Sequence, residues 1–431
     1  MRFVIKQVGF GKERVGVLTG FAKSALTVIE TPTSALFTQG GSVVHLTADV
    51  LARIFKNPQL LWLPLSNSIQ LENGAKAQGQ GVATFAALPE HITCASLNSM
   101  TESHPIGHFE TDKVPLWTKR GKILITADRY MDIMEIFQPD LILAIADSRT
   151  TLNEANKRTS KAVERTCTMF DICVKRCKDS TRLQNSSLIG VIAGTGNIKN
   201  CEECVKHILN HKDSIVGVSL AGITNGTDES YNIGTEKLET IFKNIGESIP
   251  SDLVHMVEGS WNPAVVVAAI GHGWDVFDGS YPLKLTNAGH ALALTFDATQ
   301  VSDELCILDL NDIRYKEDFK PIVSGCECLA CTKHTRAYIR HLLNTREMLA
   351  SVLLSIHNLH HFEQMFVYAR RNITSKTFQI YKDHITDQYE RYKTNQESEE
   401  AKEDEVSDSN KSQSNKKPKI DPDLEENAMT G

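Results

Sequence analysis

The middle of the chain alternates continuous apolar runs with amphipathic segments of helical spacing. The apolar runs have the length of strands, and they cover residues 141–147, 188–194, 215–220, 253–258 and 274–278. Strands that are apolar throughout are buried on both faces, as in a parallel sheet covered by helices. The repeat of strand and helix predicts an α/β fold, a TIM (β/α)8 barrel, with its core in residues 116–300.

The first 115 residues have a different pattern. Short strand-like runs at residues 3–5, 15–18, 26–29 and 60–63 are interrupted by Gly, Pro, Asn and Ser, with one helical stretch at 46–55. Such a pattern is typical of short strands joined by turns. We expect an N-terminal antiparallel sheet that leads into the barrel.

Helical patterns dominate the chain after the predicted barrel. Residues 332–359 contain neither Gly nor Pro and repeat apolar side chains at helical spacing, and further helical stretches follow at 361–371 and 375–394. We therefore assign residues 301–394 to a C-terminal helical subdomain. Residues 395–431 are rich in Glu, Asp, Ser and Lys, which predicts a disordered acidic tail.

The net charge of −7 comes almost entirely from that tail. Residues 397–431 hold 11 acidic and 5 basic side chains, which leaves 42 acidic and 41 basic side chains in the rest of the chain. A nearly neutral body does not have the basic excess of many nucleic-acid-binding proteins. A short basic run at 415–419 is more typical of solvated charge than of a nuclear signal.

Three cysteines stand close together at the start of the helical subdomain. Cys326, Cys328 and Cys331 are followed 26 residues later by His357, on the predicted helix. Thiolates and imidazole are preferred zinc ligands, and Cys3His is a closed, structural set. We predict one structural Zn²⁺ on these four residues rather than three buried thiols beside a core histidine. The remaining cysteines are unevenly spaced, which fits a reducing, cytosolic setting.

Polar residues that end barrel strands are candidates for chemistry, since barrel active sites lie at that end. Asp147, Glu258 and Asp278 are the carboxylates in this position. Three such groups can supply a nucleophile, a base and a substrate anchor, whereas a single carboxylate after a strand more often caps the next helix.

Two further motifs have an ordinary structural interpretation. The Gly-Thr-Gly run at 194–196 is more typical of a turn than of a phosphate-binding loop. Cys201 and Cys204, with His207 and His211, can form a second metal site or a redox pair. A helical run of this kind more often carries partly buried cysteines.

The motifs together resemble the tRNA-guanine transglycosylase family, which exchanges an anticodon guanine for a queuine-type base. The resemblance covers roughly residues 1–375 and is carried by Gly-Cys-Glu-Cys-Leu-Ala-Cys at 325–331, by residues 333–343 and by His-Asn-Leu at 357–359. Trp-Asp-Val-Phe-Asp at 274–278 resembles the strand with the nucleophilic aspartate of the family. The resemblance implies that Asp278 occupies the nucleophile position and Asp147 the position of the base-recognising aspartate.

The chain departs from the family pattern around the base pocket. The Asp-Ser-Gly-Gly-Phe-Gln loop is missing near residues 98–105, and Pro-Thr-Arg is replaced by Pro-Leu-Lys at 282–284. A glutamine, two glycines and a methionine of the family are replaced by Ala193, Val218-Ser219 and Glu258. Losing a polar contact and filling the pocket floor would each weaken base binding.

The chain is therefore similar to the non-catalytic eukaryotic subunits of the family, and we expect no catalytic residues. The resemblance implies a heterodimer with the catalytic subunit of queuine tRNA-ribosyltransferase, formed through the zinc subdomain. It also implies tRNA binding through that complex and a cytosolic location, with peripheral attachment to the mitochondrial outer membrane. An active transglycosylase that uses Asp278 on a different base is the alternative, and a zinc-stabilised scaffold that binds no tRNA is a third reading.

Overall fold

The computed structural model describes residues 1–102, 110–231, 233–299 and 303–414. The strands of these residues are β1 (Arg2–Val8), β2 (Arg14–Thr19), β3 (Ile29–Thr31), β4 (Thr33–Gln39), β5 (Ser42–Val43), β6 (Leu60–Pro64), β7 (Ile92–Ser96), β8 (Lys113–Thr118), β9 (Gly121–Thr126), β10 (Leu141–Leu143), β11 (Ser187–Ile192), β12 (Gly217–Leu220), β13 (Val254–Val257), β14 (Val276–Gly279), β15 (His290–Leu292) and β16 (Ile307–Asp309).

The α-helices of the same residues surround the sheet or follow it. They are α1 (Ala48–Ile54), α2 (Leu65–Ser68), α3 (Glu72–Gln78), α4 (Gly81–Phe85), α5 (Ala127–Phe137), α6 (Asn156–Asp179), α7 (Ile198–Leu209), α8 (Asp228–Tyr231), α9 (Thr235–Ser248), α10 (Pro263–Gly271), α11 (Tyr281–Ala288), α12 (Leu329–Lys333), α13 (Arg336–Asn344), α14 (Met348–Thr374) and α15 (Phe378–Ser414). Short 3-10 turns lie at Ile69–Leu71, Lys212–Ser214 and Ile313–Tyr315.

Eight parallel strands close into a barrel. Their order is β4, β6, β7, β10, β11, β12, β13 and β14, and β14 pairs with β4 to complete the ring. The interior is packed with side chains such as Trp62, Cys94 and Met256, each at most 1% exposed. The predicted (β/α)8 fold with an N-terminal antiparallel sheet is thus confirmed.

The barrel begins earlier than the sequence pattern indicated. Only β1, β2 and β3 form the N-terminal antiparallel sheet. β4, β6 and β7 lie within the first 115 residues, and they pair in parallel as barrel strands. The assignment of residues 60–63 to an antiparallel region was therefore wrong. Every residue of the run Leu60–Pro64 is buried, as is typical of a parallel barrel strand that is covered on both faces.

The predicted helix over residues 332–359 is interrupted. α13 ends at Asn344 and α14 begins at Met348, with Arg346 at a φ of +58° in the turn between them. The backbone N–H of Glu347 donates to the carbonyl of Leu342 at 2.9 Å, which closes the turn without Gly or Pro. α14 then continues through the separately predicted stretch at 361–371.

The predicted disordered tail is partly helical. α15 extends to Ser414, since residues 378–414 contain no Gly or Pro and many good helix formers. Residues 415–431, including the basic run at 415–419, lie outside the described residues.

A buried ion pair joins the N-terminal sheet to the barrel. Arg14 of β2 donates from Nε and Nη2 to the two carboxylate oxygens of Asp275, at 2.9 and 2.6 Å. The same guanidinium donates to the carbonyls of Ser251 and Leu253 at 2.7 and 3.0 Å. Asp275 precedes β14, so this pair fixes the strand that carries Asp278.

Candidate metal centre and barrel mouth

The structure brings Cys326, Cys328, Cys331 and His357 together. Nδ1 of His357 lies 3.9, 3.5 and 3.3 Å from the sulfurs of Cys326, Cys328 and Cys331. Tetrahedral zinc, with bonds of about 2.3 Å to sulfur and 2.0–2.1 Å to nitrogen, would hold these atoms about 3.6 Å apart. The spacing of the four donor atoms fits a metal ion of this kind.

The protonation of His357 is set by its second nitrogen. Nε2 lies 2.7 Å from the carbonyl oxygen of Leu292, so this nitrogen carries the proton and donates it. Nδ1 is then left with a free lone pair that points to the three sulfurs. A metal-binding histidine is usually oriented in this way by a backbone or carboxylate acceptor.

The helix that carries His357 is fixed to the end of the barrel. Asn358 accepts a hydrogen bond from the Leu292 N–H at 2.8 Å and donates to the carbonyl of His290 at 2.9 Å. One turn later, Nε2 of His361 donates to the carbonyl of Leu294 at 2.9 Å. These three hydrogen bonds hold α14 against β15 and the residues that follow it, so the candidate metal centre is fixed to the barrel.

Asp147 lies at the barrel mouth, directly after β10, but its carboxylate is occupied by two arginines. Arg158 donates to both oxygens, at 2.8 and 2.7 Å, and Arg165 donates to Oδ2. Only 1% of the Asp147 side chain is exposed. Both carboxylate oxygens therefore accept hydrogen bonds from guanidinium groups. These bonds use acceptor sites that recognition of a nucleobase would need.

Asp278 ends β14 inside the same mouth and is buried. Its Oδ1 accepts a hydrogen bond from the Ser280 N–H at 3.0 Å, whereas Oδ2 has no partner among the described residues. Burial raises the pKa of Asp278 to about 6, although hydrogen bonds from Ser280 oppose the shift. The carboxyl group of Asp278 is therefore still mainly ionised at neutral pH.

Glu258 lies next to Asp278 and occupies space at the barrel mouth. Its Oε1 accepts a hydrogen bond from the Ser219 hydroxyl at 3.1 Å. Burial, together with the charge of Asp278, raises the pKa of Glu258 to about 8. Ser219 of β12 and Glu258, which directly follows β13, are thus hydrogen-bonded to each other and occupy space at the mouth.

Aromatic side chains cover the mouth from the loops. The Tyr231 ring packs edge-on against Trp261 with centroids 5.0 Å apart, and its hydroxyl accepts from the Ser260 N–H at 2.7 Å. The same hydroxyl donates to the carbonyl of Met100 at 3.3 Å. Contacts from the loops after β7 and β13 meet at Tyr231 of α8, so this residue joins the two loops over the barrel.

The Gly-Thr-Gly run and the thiols of Cys201 and Cys204 have the structural roles that the sequence favoured. Gly194 has a φ of +86°, which requires glycine in the turn after β11. The thiols of Cys201 and Cys204 are buried and contact the carbonyls of Ala193 and Val191 at 3.7 and 3.8 Å. Neither thiol belongs to a metal-binding cluster among the described residues.

Arg158 and Arg165 are the important residues that the sequence interpretation missed. Their spacing of seven residues places them two turns apart on one face of α6. Since the helix after a barrel strand begins near the end of that strand, this face can approach a carboxylate there. The spacing was therefore a usable signal for an ion pair with Asp147.

Replacing Glu258 with glutamine should remove a pH-dependent loss of stability. The pKa of Glu258 rises from 4.5 to about 8 on folding, so its carboxyl group binds the proton more tightly in the folded state than in the unfolded state. The contribution of Glu258 to the free energy of unfolding is therefore fully present below pH 4.5, and it is lost as the pH rises to about 8. At pH 8 we expect Glu258→Gln to be more stable than the original protein by about 2–4 kcal/mol, and at pH 4.5 nearly equal.

Urea unfolding at several pH values measures this difference. Glu317→Gln, at an exposed carboxylate, is the matched control and should leave the pH profile unchanged. A constant difference between Glu258→Gln and the original protein from pH 4.5 to 8 would show that Glu258 does not titrate on unfolding.

Comparison with known proteins identifies the family of this barrel protein. Residues 11–391 match the family model described as queuine tRNA-ribosyltransferase, and the chain belongs to this family.

Curated relatives named queuine tRNA-ribosyltransferase accessory subunit 2 are similar over most of their length. The protein of Culex quinquefasciatus is 35% identical over 381 residues, which is 88% of this chain and 89% of the relative. Those of Aedes aegypti and Anopheles gambiae are 31% and 33% identical, over 90% of this chain and 93% and 90% of the relatives.

Among the helices of the described residues, none has the length and apolar character needed to cross a bilayer.

Proposed function

We propose that this chain is the non-catalytic subunit of a heterodimeric queuine tRNA-ribosyltransferase, which exchanges guanine for queuine at the tRNA wobble position. The observation that carries the proposal is the state of Asp147, whose carboxylate is bound by Arg158 and Arg165. The base-recognising position is therefore blocked from within the chain. Similarity to proteins named as accessory subunits supports the same conclusion.

In this proposal Zn²⁺ is the ion held by Cys326, Cys328, Cys331 and His357. Four protein ligands leave no open position for water, so the role of zinc is structural. The ion would stabilise the loop of the three cysteines against α14, and through Asn358 and His361 it would stabilise the end of the barrel.

The catalytic partner would bind at the zinc subdomain. Large apolar side chains are exposed along this segment, and they include Ile313, Phe319, Leu329, Tyr338, Met348 and Leu349. Phe319 and Met348 are 75% and 85% exposed, which is costly in water unless a partner covers them. The tRNA would be bound by the resulting complex, and the cytosolic and mitochondrial-surface location stays a prediction from the resemblance.

One observation favours the alternative of an active enzyme with altered base specificity. Asp278 is ionised at neutral pH, and its Oδ2 has no partner among the described residues. A carboxylate of this kind can attack the C1′ carbon of a nucleotide, which breaks the bond from C1′ to the nucleobase and releases that base.

Guanine exchange measured with labelled base and tRNA separates the two functions. We expect no exchange by this chain alone and full exchange by the complex with the catalytic subunit. Asp278→Asn in this chain should leave the activity of the complex unchanged. Leu26→Ser, at an exposed apolar residue of the N-terminal region, is the matched control for a Phe319→Ser, Met348→Ser pair that should weaken the complex.

Exchange by the isolated chain that disappears with Asp278→Asn would establish the alternative instead. A complex that forms but protects no part of the tRNA from nuclease would contradict the tRNA-binding part of the proposal.

A further inference from the structure

A second group of metal-binding side chains lies on the outer helices, apart from the cysteine cluster. Asp171 is on α6, His207 is in the last turn of α7, and His211 follows the end of that helix. Nε2 of His207 and Nε2 of His211 lie 2.9 and 3.2 Å from the same Oδ1 of Asp171. The three donor atoms all lie within 4.8 Å of one another.

This arrangement is close to the first coordination shell of a transition-metal ion. Tetrahedral zinc with bonds of 2.0–2.1 Å holds its nitrogen and oxygen ligands about 3.4 Å apart. Both histidine-to-carboxylate distances are near this value, so small rotations of the side chains would admit an ion. Two imidazoles and one carboxylate are also a ligand set that proteins use for zinc.

Packing below the histidines fixes the orientation of their rings. Phe170, which is 1% exposed, contacts both rings edge-on, with centroids 6.4 Å from His207 and 5.7 Å from His211. The interplanar angles are nearly the same, 72° and 73°. A shared apolar support therefore holds the two imidazoles toward Asp171 before any ion binds, which reduces the entropy lost on binding.

The site is open to solvent. The side chains of His207 and His211 are 32% and 33% exposed, and that of Asp171 is 48% exposed. An ion can therefore enter without unfolding of the helices, and water can complete its coordination. An ordinary ion pair at such a surface is the competing explanation, and exposed pairs contribute little to stability.

We propose that Asp171, His207 and His211 bind a divalent transition-metal ion, with Zn²⁺ as the ion of choice. Barrel helices run opposite to the strands, so the end of α7 lies at the far end of the barrel from its mouth. The ion therefore has no part in base exchange. It clamps α6 to α7 on the outside of the barrel, and α6 is the helix that carries Arg158 and Arg165.

Metal content and calorimetric titration of the full chain test the site. The chain purified with zinc at the cysteine cluster is expected to hold one tightly bound equivalent and to take up a second on titration with Zn²⁺. His207→Gln and His211→Gln should each abolish the second equivalent, whereas the first is retained. His341→Gln, at an exposed histidine of α13, is the matched control and should keep both equivalents.

Thermal melting provides an independent readout that a plain ion pair does not give. Added Zn²⁺ should raise the melting temperature of the original protein and of His341→Gln, but not that of the double variant His207→Gln, His211→Gln. Retention of the first equivalent shows that each variant is folded. Failure of the original protein to bind a second equivalent, or binding that persists in the double variant, would overturn the proposal.

Discussion

Replacing Cys328 with serine is expected to release zinc from the cysteine cluster and to destabilise the zinc subdomain strongly. Cys328 is 5% exposed, and its sulfur lies 3.5 Å from Nδ1 of His357. Without the ion, the loop of the cysteines loses its link to α14, and because binding of a structural metal contributes directly to folding, we expect a loss of about 4–5 kcal/mol or more. Metal analysis, thermal melting and gel filtration with the catalytic subunit measure the three consequences.

The matched control for this variant is Cys177→Ser, at a half-buried thiol on α6 outside the cluster. It should keep its zinc and its partner. If Cys328→Ser retains a full equivalent of zinc, or binds the catalytic subunit as well as the original chain does, the proposed role of the cluster is wrong.

Replacing Arg14 with methionine should destabilise the protein as strongly as Cys328→Ser does, although Arg14 belongs to neither the cysteine cluster nor the barrel mouth. The substitution leaves Asp275, which is fully buried, without the guanidinium that contacts both of its oxygens. Removing one partner of a buried pair costs about 3–5 kcal/mol, because the remaining charge has no counter-ion. Urea unfolding should show this loss, together with weaker packing of the N-terminal sheet on the barrel.

A second substitution distinguishes loss of the ion pair from loss of packing. Asp275→Asn removes the uncompensated charge. The amide oxygen of the asparagine can still accept the hydrogen bond that the His255 N–H donates to Oδ2 of Asp275 at 2.8 Å. Combined with Arg14→Met it should recover part of the stability. Arg120→Ala, at an exposed arginine in the turn after β8, should have almost no effect. If the double variant is no more stable than Arg14→Met, the uncompensated charge is not the cause.

Local patterns predicted the features that depend on nearby residues. The spacing of Cys326, Cys328, Cys331 and His357 was sufficient to predict a cluster, because three ligands share one short loop and the fourth lies on a helix packed against it. The repeated apolar runs likewise predicted the second half of the barrel. In both cases the physical cause of the structure is visible within a short window of sequence.

Features that depend on distant partners were not predictable in this way. Arg14 and Asp275 are 261 residues apart, and nothing near either of them indicates the other. The run at residues 60–64 is apolar enough for a buried strand, but its neighbours in the barrel come from other parts of the chain. Arg346 turns the chain between two helices without any residue that ordinarily breaks a helix.

The pair of arginines on Asp147 makes the state of this carboxylate insensitive to single substitutions. If Arg158 alone were replaced by a neutral residue, Arg165 would still hold the carboxylate, and the converse is equally true. If Asp147 were replaced, two guanidinium groups that are 19% and 10% exposed would lose the anion that they share. No single substitution at these three positions restores a free carboxylate. The occupied state of Asp147 is therefore redundant, and at least two substitutions are needed to free its carboxylate.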